Sequence, residues 1–73
     1  MDKLRQEKLV MWSKKLGELE KQLVLTMKAK GEAAVEGDLS ENAAYTMAIE
    51  DAETFRVQIE QVKKIIKELE GNK

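Results

Sequence analysis

Apolar side chains recur in an unbroken three-four alternation through the second half of the chain, at Tyr45, Ala48, Ala52, Phe55, Ile59, Val62, Ile66 and Leu69. That spacing keeps one stripe of a helix turned toward a single neighbour, so it predicts a coiled-coil seam. The first half repeats the rhythm at Leu9, Trp12, Leu16, Leu19 and Leu23, then falters where Thr26 and Lys30 take the next apolar places. Its partner face is therefore expected to thin toward the middle of the chain. Proline is absent, and Gly17 falls one position beyond Leu16, off the seam. There it costs about 1 kcal/mol relative to alanine without ending the helix.

The two periodic segments must part near Gly31 to Asp38. Gly37 can take a positive φ as a helix terminator, and Asp38 is a good N-cap for the segment that follows. The pattern predicts an all-α fold in one domain, residues 1–73: helix 1 over about 2–34, a tip loop over about 35–38 and helix 2 over about 39–70. A loop this short makes the helices antiparallel neighbours, a two-helix coiled-coil hairpin. Pairing outward from the turn sets Leu23 near Ala52, Leu19 near Phe55, Leu16 near Ile59, Trp12 near Val62 and Leu9 near Ile66. At 1.5 Å per residue such helices make a rod about 45 Å long. Ala48 and Ala52 near the turn keep that end slim.

Length limits what this rod can do alone, since 73 residues cannot bury a deep core without a partner, a metal or a second copy. Val10, Met11, Val24, Leu25, Met27, Ile49, Val57 and Ile65 lie off the seam and suggest a second apolar surface, with a homodimer as one use for it. Cysteine and histidine are both absent, which excludes disulfide scaffolding, thiol nucleophiles, the usual zinc sites and imidazole general-base catalysis. Carboxylates are the chemical groups that remain. No apolar run is long enough to span a bilayer and no leader with a cleavage site is apparent, so a cytoplasmic protein without membrane contact is expected.

Charge is segregated although the formal net value is only -1. Residues 31–53 hold seven acids (Glu32, Glu36, Asp38, Glu41, Glu50, Asp51 and Glu53) and no lysine or arginine, while both ends are basic. Folding back makes the tip strongly negative, better suited to a divalent cation than to phosphate contacts. At the tip stands Gly37-Asp38-Leu39-Ser40-Glu41-Asn42-Ala43-Ala44-Tyr45. Asp38 followed three residues later by Glu41 has the form of a capping box, in which the aspartate accepts from the Glu41 N–H and the glutamate reaches back. Ser40 and Asn42 suit a helix start equally well, and Tyr45 opens the seam as a core residue. One mobile pair of carboxylates with no pocket is not an enzyme by itself.

As a whole, the nine-residue run resembles the tip signature of the bacterial GreA/GreB transcript cleavage factors, in which it joins the two helices of an N-terminal coiled coil. The resemblance implies an accessory factor that enters the secondary channel of RNA polymerase and stimulates cleavage of backtracked RNA. Asp38 and Glu41 would be the catalytic acids, holding a Mg²⁺ shared with the polymerase and not bound in isolation. Gly37, Leu39, Ser40, Asn42 and Tyr45 would make the tip contacts, with the RNA 3′ end and DNA met only indirectly. Family members carry a C-terminal FKBP-like domain, expected here to be absent. They also place arginines where this chain has Ala34 and Ile49, so an RNA-holding basic patch is expected to be missing. Two other readings stay open: a channel binder that inhibits or modulates without cleavage, and a structural, dimerising hairpin.

Overall fold

In the computed structural model, which describes residues 2–71, Asp2 opens the first helix. Its carboxylate accepts from the Leu4 N–H at 2.9 Å, an N-cap of the kind worth about 1 kcal/mol. Helix α1 then runs without interruption through Gly17 and Gly31, over Lys3–Val35. One turn of 3₁₀ helix, Leu39–Glu41, follows the bend, and helix α2 occupies Ala43–Leu69. The two long helices pack against each other as an all-α hairpin. Its Cα extents of 54 × 18 × 12 Å describe a rod. A compact chain of this length would have a radius of gyration of about 11 Å, against the 16.5 Å found.

Seam positions predicted on α2 are all buried or half-buried, with Ala48, Ala52, Ile59 and Val62 the most enclosed. Leu19, Ile59 and Val62 form the centre of the core, flanked by Trp12, Leu16, Leu23, Phe55 and Ile66. Large side chains thus meet at mid-rod, where each brings roughly 1.5–3 kcal/mol when fully buried.

Toward the tip the apolar face of α1 thins as expected, while the packing of the two helices continues. Thr26 and Lys30 stay half-buried and Ala33 is buried, so the three-four rhythm continues at the backbone level to the end of α1. A lysine fits a seam position because its methylene stem can line the interface while its charged end finds a partner. Here the Lys30 ammonium lies 5.9 Å from the centre of the Tyr45 ring, a cation–π contact worth about 0.5–1 kcal/mol where it is still solvated.

Helix α2 starts later than the capping pattern suggests, at Ala43 rather than near residue 39. The intervening residues form the separate 3₁₀ turn, closed by Glu41 N–H to Asp38 C=O at 3.3 Å and Asn42 N–H to Leu39 C=O at 3.4 Å.

A Cβ added at Gly17 or Gly31 meets no atom within 4 Å, whereas Gly37 has φ +143°. Gly17→Ala and Gly31→Ala are each expected to stabilise the hairpin by about 1 kcal/mol, and Gly37→Ala to destabilise it by roughly 1–3 kcal/mol through backbone strain. Urea unfolding followed by circular dichroism gives the sign and size of each change.

Candidate functional site at the hairpin tip

Gly37 turns the chain out of α1, and the next residue, Asp38, adopts an extended conformation that caps the 3₁₀ turn. Its Oδ1 accepts from the Ser40 N–H at 3.0 Å and from the Ser40 hydroxyl at 2.8 Å. This is an Asx turn, a local bond that aspartate makes readily two residues ahead. It replaces the capping box expected from the Asp38–Glu41 spacing, because the Glu41 N–H is taken by the Asp38 carbonyl instead.

The cap of α2 is Asn42. Its Oδ1 accepts from the Tyr45 N–H at 3.1 Å, and its Nδ2 donates to the Ala33 carbonyl across the hairpin at 2.7 Å. One amide therefore satisfies an orphan donor of α2 and ties that helix to the last turn of α1. Asn42 is half-buried, so this bond is shielded from competition by water. The amide oxygen must face Tyr45 and the nitrogen Ala33, since the opposite orientation would set donor against donor and acceptor against acceptor.

Gly37, Asp38, Leu39, Ser40 and Glu41 are exposed on the end of the rod. Asp38 and Glu41 line a shallow depression together with Glu36, Gly37 and Asn42. Tyr45 and Leu39 are not part of that lining: Tyr45 lies half-buried on the seam under Lys30. Glu36 is an acid of the depression that motif reading leaves out. It could have been found from its place one residue before the glycine, on the last turn of a helix that ends there. Lys30 also escapes a count along the chain, since it lies just outside the acidic interval yet packs on a residue inside it.

The hydroxyl and N–H of Ser40, in that order, hold the Asp38 carboxyl below its ordinary value of 3.8. Both donors use Oδ1, and Asp38 is exposed. Carboxylate oxygens suit Mg²⁺, which ordinarily takes one or two of them and keeps waters or phosphate oxygens in its other places. Among the described residues no three acids, histidines or cysteines stand together to hold a metal.

Fold and tip together define a slim helical hairpin that presents carboxylates at its free end. A family model described as "Transcription elongation factor, N-terminal", that of the GreA/GreB N-terminal domain, matches residues 3–70, and the chain belongs to that family. Comparison with curated proteins gives no match, and neither does comparison with solved structures. Among the described residues no helix is long and apolar enough to cross a membrane.

Two outcomes follow from this geometry. Because its folded-state pKa is depressed, ionised Asp38 favours the hairpin at pH values above 3.8, and that contribution is lost as pH falls through the lower folded value. Ser40→Ala should raise the Asp38 pKa, as read by carboxyl-carbon NMR titration. Asn42→Asp keeps the capping acceptor but loses the donor to Ala33. It should destabilise the hairpin by about 1–3 kcal/mol, measured by urea unfolding at neutral pH.

Proposed function

We propose that this hairpin is an accessory elongation factor domain that enters the secondary channel of bacterial RNA polymerase tip first and stimulates cleavage of backtracked RNA. The observation that carries the reading is the pair Asp38 and Glu41, exposed on one turn at the end of a rod whose smaller Cα extents are 18 and 12 Å. A shape of this kind can reach a recessed site and leave its acids there. Ser40 orders Asp38, and Asn42 fixes the turn that carries both acids. Gly37, Leu39 and Tyr45 then serve the fit of the tip in the channel.

Asp38 and Glu41 would supply carboxylate oxygens to a Mg²⁺ whose other ligands come from the polymerase. When bound, such an ion favours attack of water on a phosphodiester and stabilises the charge that develops. The hairpin itself contributes position and negative charge, not a complete catalytic centre, so it acts as a cofactor of the polymerase and not as an enzyme. RNA is met at its 3′ end and DNA only indirectly. The compartment consistent with this role is the cytoplasm.

A second reading, occupancy of the channel without cleavage, is favoured by one specific observation. Residues 31–53 contain no lysine or arginine, and Ala34 and Ile49 are exposed where a cation could have met the RNA. The two readings separate in stalled, backtracked complexes supplied with Mg²⁺ and a high concentration of the hairpin. Accelerated cleavage that falls on the order of 100-fold with Asp38→Asn or Glu41→Gln, at unchanged polymerase binding, supports the first, the scale being that of removing a preorganised electrostatic group. Binding with no acceleration, together with competition against a full-length factor, supports the second.

A further inference from the structure

One flank of the hairpin is marked by a contact across it, in which the Arg56 guanidinium of α2 lies 3.4 Å from the Met27 sulfur of α1. Steps of three and four residues from these two trace the rest of that flank. On α1 they reach Val24, Glu20, Gly17 and Val10, and on α2 they reach Ile49, Glu53, Glu60 and Lys63, all of them exposed. The seam uses none of these. Val10 and Val24 are 70% and 68% exposed, and a Cβ added at Gly17 meets no atom within 4 Å. A glycine inside a helix weakens it, and nothing within the hairpin requires this one.

The charges of α2 say what lies against this flank. Running away from the tip, Glu53, Arg56, Glu60 and Lys63 alternate in sign, and the first three share one shallow depression of about 490 Å³. Reversing the direction of such a row inverts every sign. An identical helix running the opposite way therefore presents the opposite charge at each step, whereas one running the same way presents like charges, which oppose association. The centre of this antisymmetry is the level of residue 58. Lys30 lies against Tyr45 and Ala33 against Asn42, and the same register carried along the rod sets Gly17 level with residue 58. The position without a side chain thus falls where two copies of α1 would cross.

We propose that this flank is a self-association face, on which a second copy packs antiparallel about a two-fold axis at the level of Gly17. Glu53 then meets the partner's Lys63, and Arg56 meets the partner's Glu60. On α1, Val10 meets the partner's Val24, and Glu20 meets the partner's Lys14. The remaining lysines along that edge are also accommodated: Lys21 comes level with the partner's Ser13, and Lys28 falls within one residue of the partner's Glu7. Two seams become one four-helix core, the second copy that a chain this short can use. Lys3, the first residue of α1, comes level with the partner's Gly31. Asp38 and Glu41 of each copy therefore lie beyond the end of the other copy's α1 and stay uncovered.

Sedimentation equilibrium of the hairpin alone, from micromolar to millimolar, tests the face separately from any effect on polymerase. A closed two-fold contact gives a dimer and no larger species. Glu53→Lys and Lys63→Glu each turn two attractive contacts repulsive, and each should raise the dissociation constant roughly tenfold or more. Glu53 and Lys63 stand ten residues apart on one helix, about 15 Å, so they do not pair within a chain. The double variant should recover wild-type association, and so should an equimolar mixture of the two single variants. Gly17→Gln favours the helix but fills the crossing point, so it should weaken the dimer while circular dichroism shows helicity retained. Leu25→Gln with Met47→Gln, on the opposite flank, should leave association as it is. A wild-type hairpin that stays monomeric at every concentration overturns the proposal. So does a dimer that the charge reversals leave intact, or one that they weaken and neither the double variant nor the mixture restores.

Discussion

A hairpin of two helices has a single interface, and every other property of this protein is arranged around that shortage of core. At mid-rod the shortage is met with large side chains: Leu19, Ile59 and Val62, with Trp12 and Phe55 against them. At the tip it cannot be, because bulk there would thicken the end of the rod. Ala33, Ala48 and Ala52 keep the helices close instead, and alanines bury too little apolar area to hold two helix ends together. Polar contacts take over that task. The Asn42 amide bridges α2 to the Ala33 carbonyl, and the Lys30 ammonium lies over Tyr45. Slimness and polar closure are thus two sides of one constraint.

The acids depend on the same closure. Asp38 and Glu41 sit at opposite ends of one short turn whose backbone bonds are long, 3.3 and 3.4 Å, so the turn is not rigid by its own strength. It is held by what bounds it. Asp38 is tied to Ser40, and Asn42 anchors the exit to α1. The bend also brings the C-terminus of α1 and the N-terminus of α2 to one place, so their partial charges largely offset. Local bonds within the turn therefore govern Asp38 more than helix dipoles do, in agreement with Ser40 as the chief cause of its lowered pKa.

The seam of α2 was legible in the sequence because its side chains are apolar at every step from Tyr45 to Leu69. On α1 the same geometry is written in residues that hydropathy does not count: Thr26 is polar, Lys30 is charged, and Ala33 is too small to stand out. All three still occupy seam positions, since the partner helix runs alongside whatever the side chains are. The start of α2 misled for a different reason. Asp38, Ser40 and Asn42 are each competent caps, and Asp38 stands three residues before Glu41 just as Asn42 stands three before Tyr45. Spacing alone cannot rank two such starts. What ranks them is the bond from Asn42 to Ala33, a contact between residues whose approach depends on the fold. Legible, by contrast, was the cluster of acids at one end, because a hairpin brings a central segment to its tip whichever residue begins the second helix.

Charge segregation is the property that joins the thin core to the family role. Seven acids gathered near one end repel one another, and a deep core could absorb that cost where a single seam cannot. The arrangement makes physical sense for a chain that completes its electrostatics in a partner. On the proposed function, a cation shared with the polymerase would relieve the repulsion within the free hairpin. Lys30 is a local exception. Placed on the seam and over Tyr45, it offsets part of the negative field at the base of the tip without occupying the depression shared by Asp38 and Glu41. A cation closer to the acids would pair with them. Lys30 stands far enough back to steady the seam while leaving the acids available.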